Sequence, residues 1–519
     1  MLNRQGRKTR PEAGSEDNNN MTGETHSGHK GLQMDEPLLF EIGSPAKTGV
    51  DLPDAPTVDD KLGGLARDEE IGLYGLSEPE AVRHFVRLSQ KNYAIDSGFY
   101  PLGSCTMKHN PRLNEKMARL AGFGDIHPLQ PLSSVPGALK LMEELSDWLL
   151  KLTGMASIAL SPKAGAHGEL CGMMAIKAAL DAAGSPRDVV LVPESAHGTN
   201  PATAALLGFK VRSVPADKDG TVRVDAVRAA MKAEGGGDVA AIMLTNPNTC
   251  GLFEREIKEI ADLIHGSGGY FYCDGANFNA IVGRVRPGDL GIDAMHLNLH
   301  KTFSTPHGGG GPGSGPVVLS DRLAAFAPVP FLRRDGDTLT LVEETDGTQS
   351  FGRLTAFHGQ MGMYVRALTY ILSHGIDGLN AASGDAVLNA NYIRAKLKDV
   401  LNQPFGDQAS MHEVLFDESS LSGTGVTTLD LAKALIDEGF HPMTIYFPLV
   451  VKGAMLIEPT ESESIETIDQ FIDVMRSLIS EAHEGQEDKF HAAPIHTPRR
   501  RLDETGAARK PILRWNAEN

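Results

Sequence analysis

The sequence between Val189 and Lys301 alternates short apolar runs with amphipathic stretches, and polar residues follow the end of each apolar run. The predicted elements are strands at 189–193, 210–215, 239–245 and 270–274, and helices at 225–233 and 255–265. Strands that alternate with helices indicate a mainly parallel sheet that is covered on both faces. Ligands of such sheets bind outside the carboxyl ends of the strands. The sequence therefore predicts an α/β protein whose chemistry lies along one edge of the sheet.

Lys301 follows a short alternating run, 295–300, and precedes a turn rich in glycine. The alternation is typical of a strand end, so we predict that Lys301 projects from the carboxyl edge of a strand. A desolvated lysine there can lose its proton and attack a carbonyl group, which suggests a Schiff base with pyridoxal phosphate. His300 is predicted to contact phosphate or substrate, and glycines 308–311 to form backbone close to the cofactor. Taken alone, the stretch also fits a solvated or phosphate-binding lysine.

Pyridoxal phosphate needs a carboxylate near its ring nitrogen, a flat group against its ring and donors for its phosphate. Asp274 ends a predicted strand about one strand–helix–strand unit before Lys301, and its carboxylate would keep the ring nitrogen protonated. His197 follows the first strand, where an imidazole can stack on the ring; a loop histidine bonded only to backbone is the alternative. Asn277 is predicted to bond the ring hydroxyl oxygen. Together these residues support the cofactor far more specifically than Lys301 does alone.

A turn that contains Gly165 and Gly168 opens a further predicted helix. The free N–H groups at the start of a helix lie at the positive end of its dipole, where they form a site for an anion such as phosphate. We therefore predict that Gly165, Ala166 and His167 hold the cofactor phosphate. Thr302, next to the lysine, is a further predicted donor.

The size and charge of the chain restrict the class of protein. A chain of 519 residues exceeds one ordinary hydrophobic core, so two domains with appendages are expected. A formal net charge of -18 argues against a nucleic-acid partner, and no apolar run approaches the ~20 residues of a membrane span. The four cysteines show no CxxC or metal-ligand spacing, so neither a metal site nor a disulfide framework is predicted. Without a recognisable signal sequence, the expected location is the cytoplasm.

The predicted organisation has five segments. They are a disordered N-terminal extension at 1–36, an N-terminal segment at 37–130, a large cofactor-binding domain at 131–350, a small α+β domain at 351–485 and a tail at 486–519. The N-terminal segment contains a loop, 99–111, that is broken by proline and glycine. Its polar side chains form a candidate site for a small carboxylate, and an ordinary polar surface loop is the alternative. The side chains are Ser104, Thr106, Lys108, His109 and Asn110.

Six stretches of the sequence resemble motifs of one known family. They are Tyr100-Pro-Leu-Gly-Ser-Cys-Thr-Met-Lys, Ala164-Gly-Ala-His-Gly-Glu, Glu194-Ser-Ala-His-Gly-Thr-Asn-Pro-Ala, Thr245-Asn-Pro-Asn-Thr-Cys-Gly-Leu-Phe-Glu, Asp274-Gly-Ala-Asn and Asn298-Leu-His-Lys-Thr-Phe. The family is glycine dehydrogenase (decarboxylating), the P-protein of the glycine cleavage system, and the resemblance extends from about residue 37 to the tail. With one such domain and not two, the chain is similar to subunit 2 of the split form. The fused form carries Gln where this chain has His167.

The resemblance implies a fold-type I pyridoxal phosphate enzyme with a mainly parallel large domain and a smaller α+β C-terminal domain. It implies that Lys301 holds the cofactor, His197 stacks on its ring and Asp274 meets its nitrogen. Lys301, His197 and His300 are the predicted catalytic residues. Glycine would be decarboxylated, and its aminomethyl group would pass to the lipoyl arm of the H-protein. The implied partner is a homologous subunit 1, with two copies of each subunit.

Two alternatives remain open from the sequence. The first is another fold-type I enzyme, such as an aminotransferase or a cysteine desulfurase. The second is a non-catalytic subunit that keeps the fold, although a lysine at position 301 argues against it.

Overall fold

The structure is a computed structural model. It describes residues 36–50, 52–54, 56, 59, 61–69, 72–233, 238–308 and 313–515. The contacts between residues divide the chain into two units, one of which comprises residues 94–495. The other comprises the chain before residue 94 together with the chain after residue 495. The boundaries predicted at 130, 350 and 485 stay predictions, and the predicted extension lies outside the described residues except for Glu36.

The α-helices, in chain order, are α1 (Leu39–Ile42), α2 (Glu78–Gln90), α3 (Arg112–Ala118), α4 (Ala121–Gly124), α5 (Pro136–Thr153), α6 (Gly165–Ala182), α7 (Thr199–Leu206), α8 (Val224–Ala233), α9 (Ile257–Gly266), α10 (Leu299–Thr302), α11 (Met361–Leu397), α12 (Thr428–Asp437), α13 (Ile465–His483), α14 (Glu487–Ala492) and α15 (Glu504–Arg509). The strands are β1 (Ser157–Ala159), β2 (Val189–Pro193), β3 (Lys210–Val214), β4 (Val239–Thr245), β5 (Tyr270–Asp274), β6 (Ala294–His296), β7 (Val317–Leu319), β8 (Phe331–Asp335), β9 (Thr338–Val342), β10 (Val414–Phe416), β11 (Thr444–Ile445) and β12 (Met455–Ile457). The four strands predicted between residues 189 and 274 are confirmed.

The large sheet of residues 94–495 contains seven of the described strands, in the order β1-β7-β6-β5-β4-β2-β3. Strands β6, β5, β4, β2 and β3 are parallel, while β7 runs antiparallel to both β6 and β1. Strands β2 and β4 are buried along their whole length, as their continuous apolar sequences require in a sheet covered on both faces. The predicted mainly parallel sheet is therefore confirmed.

The position of Lys301 differs from the prediction. Strand β6 ends at His296, and Lys301 lies in the single-turn helix α10 rather than on the strand itself. The chain turns after β6 because Leu297 and Leu299 bond back to Pro316 and Ser314 on the segment that leads into β7. Of the glycines predicted to lie near the cofactor, only Gly308 falls within the described residues.

Helix α6 approaches the sheet unusually closely because three glycines face the strands. A Cβ atom at Gly168 would lie 2.6 Å from Cβ of His296, and one at Gly172 would lie 2.5 Å from the ring of Tyr272. Real Cβ atoms do not approach other atoms so closely, so any larger residue forces the helix away from the sheet. A Cβ atom at Gly165 would lie 3.0 Å from the side chains of His296 and Asn298. The glycines thus bring the start of α6 against the carboxyl ends of β5 and β6.

The C-terminal part of residues 94–495 contains the antiparallel sheet β10-β12-β11 and helices α12 to α14. Two separate helices were predicted near 361–372 and 383–401, and α11 consists of two helical segments in these regions. The segments meet at a kink at Gly375, whose φ of 60° and ψ of -174° are not helical. Phe99, the first residue of the predicted loop, packs into the apolar core of this part against Phe471.

The second unit is smaller. In it Glu36 accepts hydrogen bonds from the guanidinium group of Arg87 at 2.6 Å, and Phe40 stacks on Trp515 with ring centroids 4.9 Å apart. Among the described residues of the whole chain, no helix combines the length and apolar character that a membrane crossing requires. The cytoplasmic location stays a prediction.

The close approach of α6 gives a first testable expectation. Gly172→Ala should lower the free energy of unfolding by about 1–3 kcal/mol, because the methyl group overpacks the buried ring of Tyr272. Gly137→Ala in α5 is the matched control, since nothing lies within 4 Å of a Cβ atom there. It should be neutral or stabilising by up to about 1 kcal/mol. Urea unfolding of both variants measures the difference, and equal midpoints would contradict the packing argument.

Candidate active site

Four strand ends of the large sheet surround a small cavity. Its volume is about 190 Å³, below the roughly 300–1,000 Å³ of sites for drug-sized ligands. The lining residues are Ser104, Gly165, Ala166, Glu169, His197, Thr199, Thr245, Asp274, Ala276, Asn277, His296, Asn298 and Lys301. Three larger cavities of the same unit, of about 870, 650 and 650 Å³, are lined by neither Lys301 nor Asp274. The predicted reactive residues therefore lie at the carboxyl edge of the sheet and not in the largest cavities.

Asp274 is the last residue of β5, and its carboxylate is buried at the centre of this edge. It accepts hydrogen bonds from the Asn200 amide at 3.1 Å and from the Ala276 N–H at 2.9 Å. Burial alone would raise the pKa of Asp274. His296, these two donors and Lys301 outweigh burial, so the pKa of Asp274 lies below its ordinary value. Asp274 is therefore an ionised carboxylate at neutral pH.

His296 orients this carboxylate from the neighbouring strand. Its Nε2 lies 3.2 Å from Oδ1 of Asp274, and its Nδ1 lies 2.7 Å from the Tyr272 hydroxyl. An ionised carboxylate only accepts hydrogen bonds, so Nε2 carries the proton and Nδ1 accepts from the hydroxyl. Burial lowers the pKa of His296 although Asp274 opposes that effect, which leaves the imidazole neutral. A chain from Tyr272 through His296 thus fixes the direction of the Asp274 carboxylate.

Glu169 is a second buried carboxyl group beside Asp274. Burial and then the charge of Asp274 raise its pKa to about 7. Its Oε1 lies 2.7 Å from the Thr199 hydroxyl, which in turn lies 2.9 Å from Nδ1 of His197. A protonated Glu169 can donate to Thr199, whose hydroxyl then donates to His197. The Thr199 hydroxyl thus connects the carboxyl group of Glu169 to the imidazole of His197.

Lys301 is half-buried, and its amine donates to the carbonyl oxygen of Ser104 at 3.0 Å. Ser104 is one of few described residues other than glycine with a positive φ, 61°. Such a conformation is strained, and strained residues cluster at functional sites. The loop predicted to hold a small carboxylate therefore contacts the lysine through its backbone.

Lys108 in the same loop does not face the cavity. Its amine is buried and lies 2.6 Å from Glu461, 2.8 Å from Asn279 and 2.9 Å from the carbonyl oxygen of Thr302. Because Glu461 already neutralises it, Lys108 is not available to bind a substrate carboxylate, and this part of the prediction is wrong. The side chain instead ties the loop to the end of helix α10, next to Lys301.

The start of helix α6 fits an anion. The first N–H groups of a helix have no partner within it, and here those of Gly165, Ala166 and His167 lie at the positive end of an 18-residue helix. Among the described residues, two buried oxygens have no hydrogen-bond partner: Oδ1 of Asn298, which lines the cavity, and Oγ1 of Thr302, which follows Lys301. These orphaned atoms, the N–H groups and the ionised Asp274 match the phosphate and ring nitrogen of the predicted cofactor.

The cavity contains six of the predicted site residues, namely Gly165, Ala166, His197, Asp274, Asn277 and Lys301. His167, His300 and Thr302 lie beside it but do not line it. The ring of His300 bonds to Asn298 at 3.2 Å, and burial lowers the pKa of this histidine to about 3. The roles predicted for all these residues stay predictions.

Sequence reasoning missed Glu169 and His296. Glu169 follows Gly165 by one helical turn, so its position on the same face of α6 was readable from the sequence. His296 ends a strand only three residues long, and its contact with Asp274 depends on the pairing of β5 with β6.

Two family models match parts of the chain. One, described as glycine dehydrogenase, C-terminal domain, matches residues 382–496, and the other, aminotransferase class-V, matches residues 169–311.

Among solved structures, an inhibitor-bound glycine decarboxylase (P-protein) of the glycine cleavage system has a TM-score of 0.65 at 21% identity. The similarity covers 84% of this chain and 92% of that one. A cysteine desulfurase from Thermococcus onnurineus NA1 has a TM-score of 0.56 at 14% identity, with 74% and 95% covered. At these identities the likeness shows the fold, and the predicted fold class is confirmed.

Sequence relatives are much closer. A probable glycine dehydrogenase (decarboxylating) subunit 2 from Caulobacter vibrioides is 64% identical over 99% of this chain and 98% of its own length. A protein of the same name from Desulforamulus reducens is 51% identical over 93% of this chain and 100% of its own length. The family predicted from the six motifs is confirmed: this chain belongs to the glycine dehydrogenase (decarboxylating) subunit 2 family.

Proposed function

We propose that this chain decarboxylates glycine with pyridoxal phosphate and transfers the remaining aminomethyl group to the lipoyl arm of an H-protein. The observation that carries the proposal is the convergence of Lys301, Asp274 and the start of helix α6 on one small cavity. A lysine, a buried carboxylate and a helix N-terminus are the groups that this cofactor requires. Family membership supplies the reaction, and the cavity supplies the residues that support it.

Each residue has a separate task in this proposal. Lys301 holds the cofactor aldehyde, Asp274 holds the proton on the ring nitrogen, and the N–H groups from Gly165 onward bind the phosphate. His197 covers one face of the ring, and Asn277, whose amide already donates to Pro247 at 3.0 Å, presents its oxygen to the cofactor. When bound, pyridoxal phosphate withdraws electrons from the substrate carbon that loses carbon dioxide.

The pair of Asp274 and Glu169 sets the charge behind the ring nitrogen. Two carboxylates this close do not both ionise easily in a buried site, since each charge disfavours the other. For Asp274, His296, the Ala276 N–H, Asn200 and the charge of Lys301 outweigh burial, whereas for Glu169 the hydrogen bonds do not outweigh burial and the charge of Asp274. The proton therefore resides on Glu169 below about pH 7, and the pair then presents one negative charge to the cofactor.

The subunit name of the relatives implies a partner subunit for this chain. We propose that this partner is a homologous subunit 1 in an assembly with two copies of each chain. The lipoylated H-protein is the second proposed partner. An aminotransferase or cysteine desulfurase activity is less well supported, because those relatives share the fold but little sequence.

The role of Lys301 can be tested by substitution. Lys301→Ala and Lys301→Arg should abolish covalent attachment of pyridoxal phosphate and lower glycine decarboxylation by more than about 1,000-fold, because neither side chain can bond the aldehyde. Borohydride trapping with peptide mass spectrometry locates the cofactor. Lys177→Ala, at an exposed lysine that bonds Leu207, is the control and should keep both properties. Substantial activity in Lys301→Ala would refute the assignment.

The charge assigned to Glu169 predicts a dependence of stability on pH. Because its folded pKa of about 7 exceeds the ordinary value of 4.5, Glu169 favours folding below pH 4.5, and this contribution disappears as the pH rises to about 7. As the pH rises from 4.5 to about 7, the free energy of unfolding of Glu169→Gln should therefore increase relative to that of the unsubstituted protein, by up to about 3 kcal/mol. Urea unfolding of the apoproteins across pH 4.5–8 measures this, and parallel curves would show that Glu169 does not titrate as described.

The proposed partners can be tested by omission. Exchange of labelled bicarbonate with the carboxyl group of glycine should be low with this chain alone. It should rise when subunit 1 and lipoylated H-protein are added, because the lipoyl arm and the second subunit complete the site. Full exchange by the isolated chain would argue against the split assembly, and amino transfer to a keto acid without exchange would favour an aminotransferase.

A further inference from the structure

Two buried glutamates lie directly opposite each other on the small sheet. Strands β10 and β12 are antiparallel with Val414 opposite Ile457, so Glu413 and Glu458 occupy the next pair of positions. Both side chains are fully buried. Like charges at directly opposite positions of a sheet are destabilising even when they are exposed, and burial increases the penalty. The register of this sheet therefore creates a pair of carboxyl groups that cannot both be ionised at low cost.

Both carboxyl groups hold the loop that contacts the catalytic lysine. Oε2 of Glu413 accepts from the N–H of Ser104 at 2.7 Å, and Oε1 of Glu458 accepts from the Thr106 hydroxyl at 2.5 Å. On the other side of the same peptide segment, the Ser104 carbonyl accepts from Lys301. Ser104 thus connects the glutamate pair to the amine, and its positive φ shows that this placement is imposed by its contacts.

The remaining oxygen of each glutamate has no partner among the described residues. These atoms are Oε1 of Glu413 and Oε2 of Glu458. Both ring nitrogens of the adjacent His412 also lack a hydrogen bond within the described residues, and its Nε2 lies 3.7 Å from Oε1 of Glu458. Ligand-type atoms of the three side chains lie within 4.8 Å of one another. A single proton held between the two carboxyl groups would satisfy the two orphaned oxygens at once.

The groups near the pair supply too little positive charge for both glutamates to be ionised. Lys108 is already neutralised by Glu461 at 2.6 Å. Burial lowers the pKa of His412 to about 3, so this imidazole is neutral. The charges of Lys301 and of both glutamates act on Cys105, and burial keeps its thiol protonated by raising its pKa. Lys301 is the remaining cation near the glutamates, and because it also stabilises the ionised Asp274, it cannot compensate for two further negative charges.

We propose that Glu413 and Glu458 are positioning residues that share one proton, and that their single negative charge fixes Ser104 against the amine of Lys301. In agreement with this, burial and then the charge of Glu458 raise the pKa of Glu413, and burial raises the pKa of Glu458 to about 7. The consequence for Lys301 rests on its proposed role as the cofactor lysine. The shared proton itself does not depend on that role.

Infrared spectroscopy of the apoprotein tests the shared proton without any cofactor. At pH 7.5 the C=O stretch of a protonated carboxyl group should be lost from the spectrum of Glu413→Gln and equally from that of Glu458→Gln. In either variant the remaining carboxyl group faces an amide and Lys301, so it ionises. Spectra without this loss would overturn the proposal, as would one bound divalent metal ion per chain that both variants release.

The pH dependence of cofactor attachment tests the effect on Lys301. The rate at which the full-length apoprotein binds pyridoxal phosphate, followed by absorbance, should have a midpoint set by the amine. Each single variant keeps one negative charge, so its midpoint should shift by less than about 0.3 pH units. The double variant loses the charge and should shift to lower pH by about 1 unit or more. Additive shifts from the two single variants would instead indicate two independent structural hydrogen bonds and overturn the proposal.

A matched control separates a local effect from general burial. Glu254 is also a buried carboxyl group whose pKa is raised to about 7, but it bonds Asn248 and Val222 and does not contact the loop. Glu254→Gln should leave the midpoint unchanged. If the double variant does not fold, the single variants and their infrared spectra still decide the question. Failure of Lys301→Ala to block attachment would refute the proposed function while leaving the infrared result intact.

Discussion

The approach of helix α6 to strands β5 and β6 is the constraint on which the rest of the site depends. Gly168 and Gly172 allow this approach, because a methyl group at either position would collide with His296 or Tyr272. The same contact places the free N–H groups of the helix and the carboxyl group of Glu169 beside Asp274. The contact between α6 and the two strands thus determines both the anion site and the charge near the proposed ring nitrogen.

Electrostatics at this site operate through pairs of buried carboxyl groups. Asp274 and Glu169 form one pair behind the cavity, and Glu413 and Glu458 form another behind the loop that contacts Lys301. In the first pair, His296 and Asn200 decide which carboxyl group is ionised. Such pairs cost folding free energy, because buried charges lose hydration that their partners only partly replace. Their location around one lysine indicates that this cost is connected with function.

Much of the fold could be predicted from local sequence. Strands β2, β4 and β5 are continuous apolar runs with polar residues at their ends, which is the pattern that burial on both faces requires. The six long motifs identified the family, and the relatives confirm it. Lys301 was misplaced because hydrogen bonds to the segment before β7, distant in the sequence, turn the chain into α10.

The sequence by itself determined the sheet, the family and most of the residues at its carboxyl edge, because these depend on hydrophobic periodicity and on the chemistry of residues close together in the chain. Only the tertiary structure decided which charged and polar side chains contact one another. Lys108 is separated from Glu461 by more than half of the chain, and Glu413 reaches Ser104 across a similar span. Ion pairing and shared protons depend on distances of a few ångströms between side chains, and residue order alone does not specify those distances.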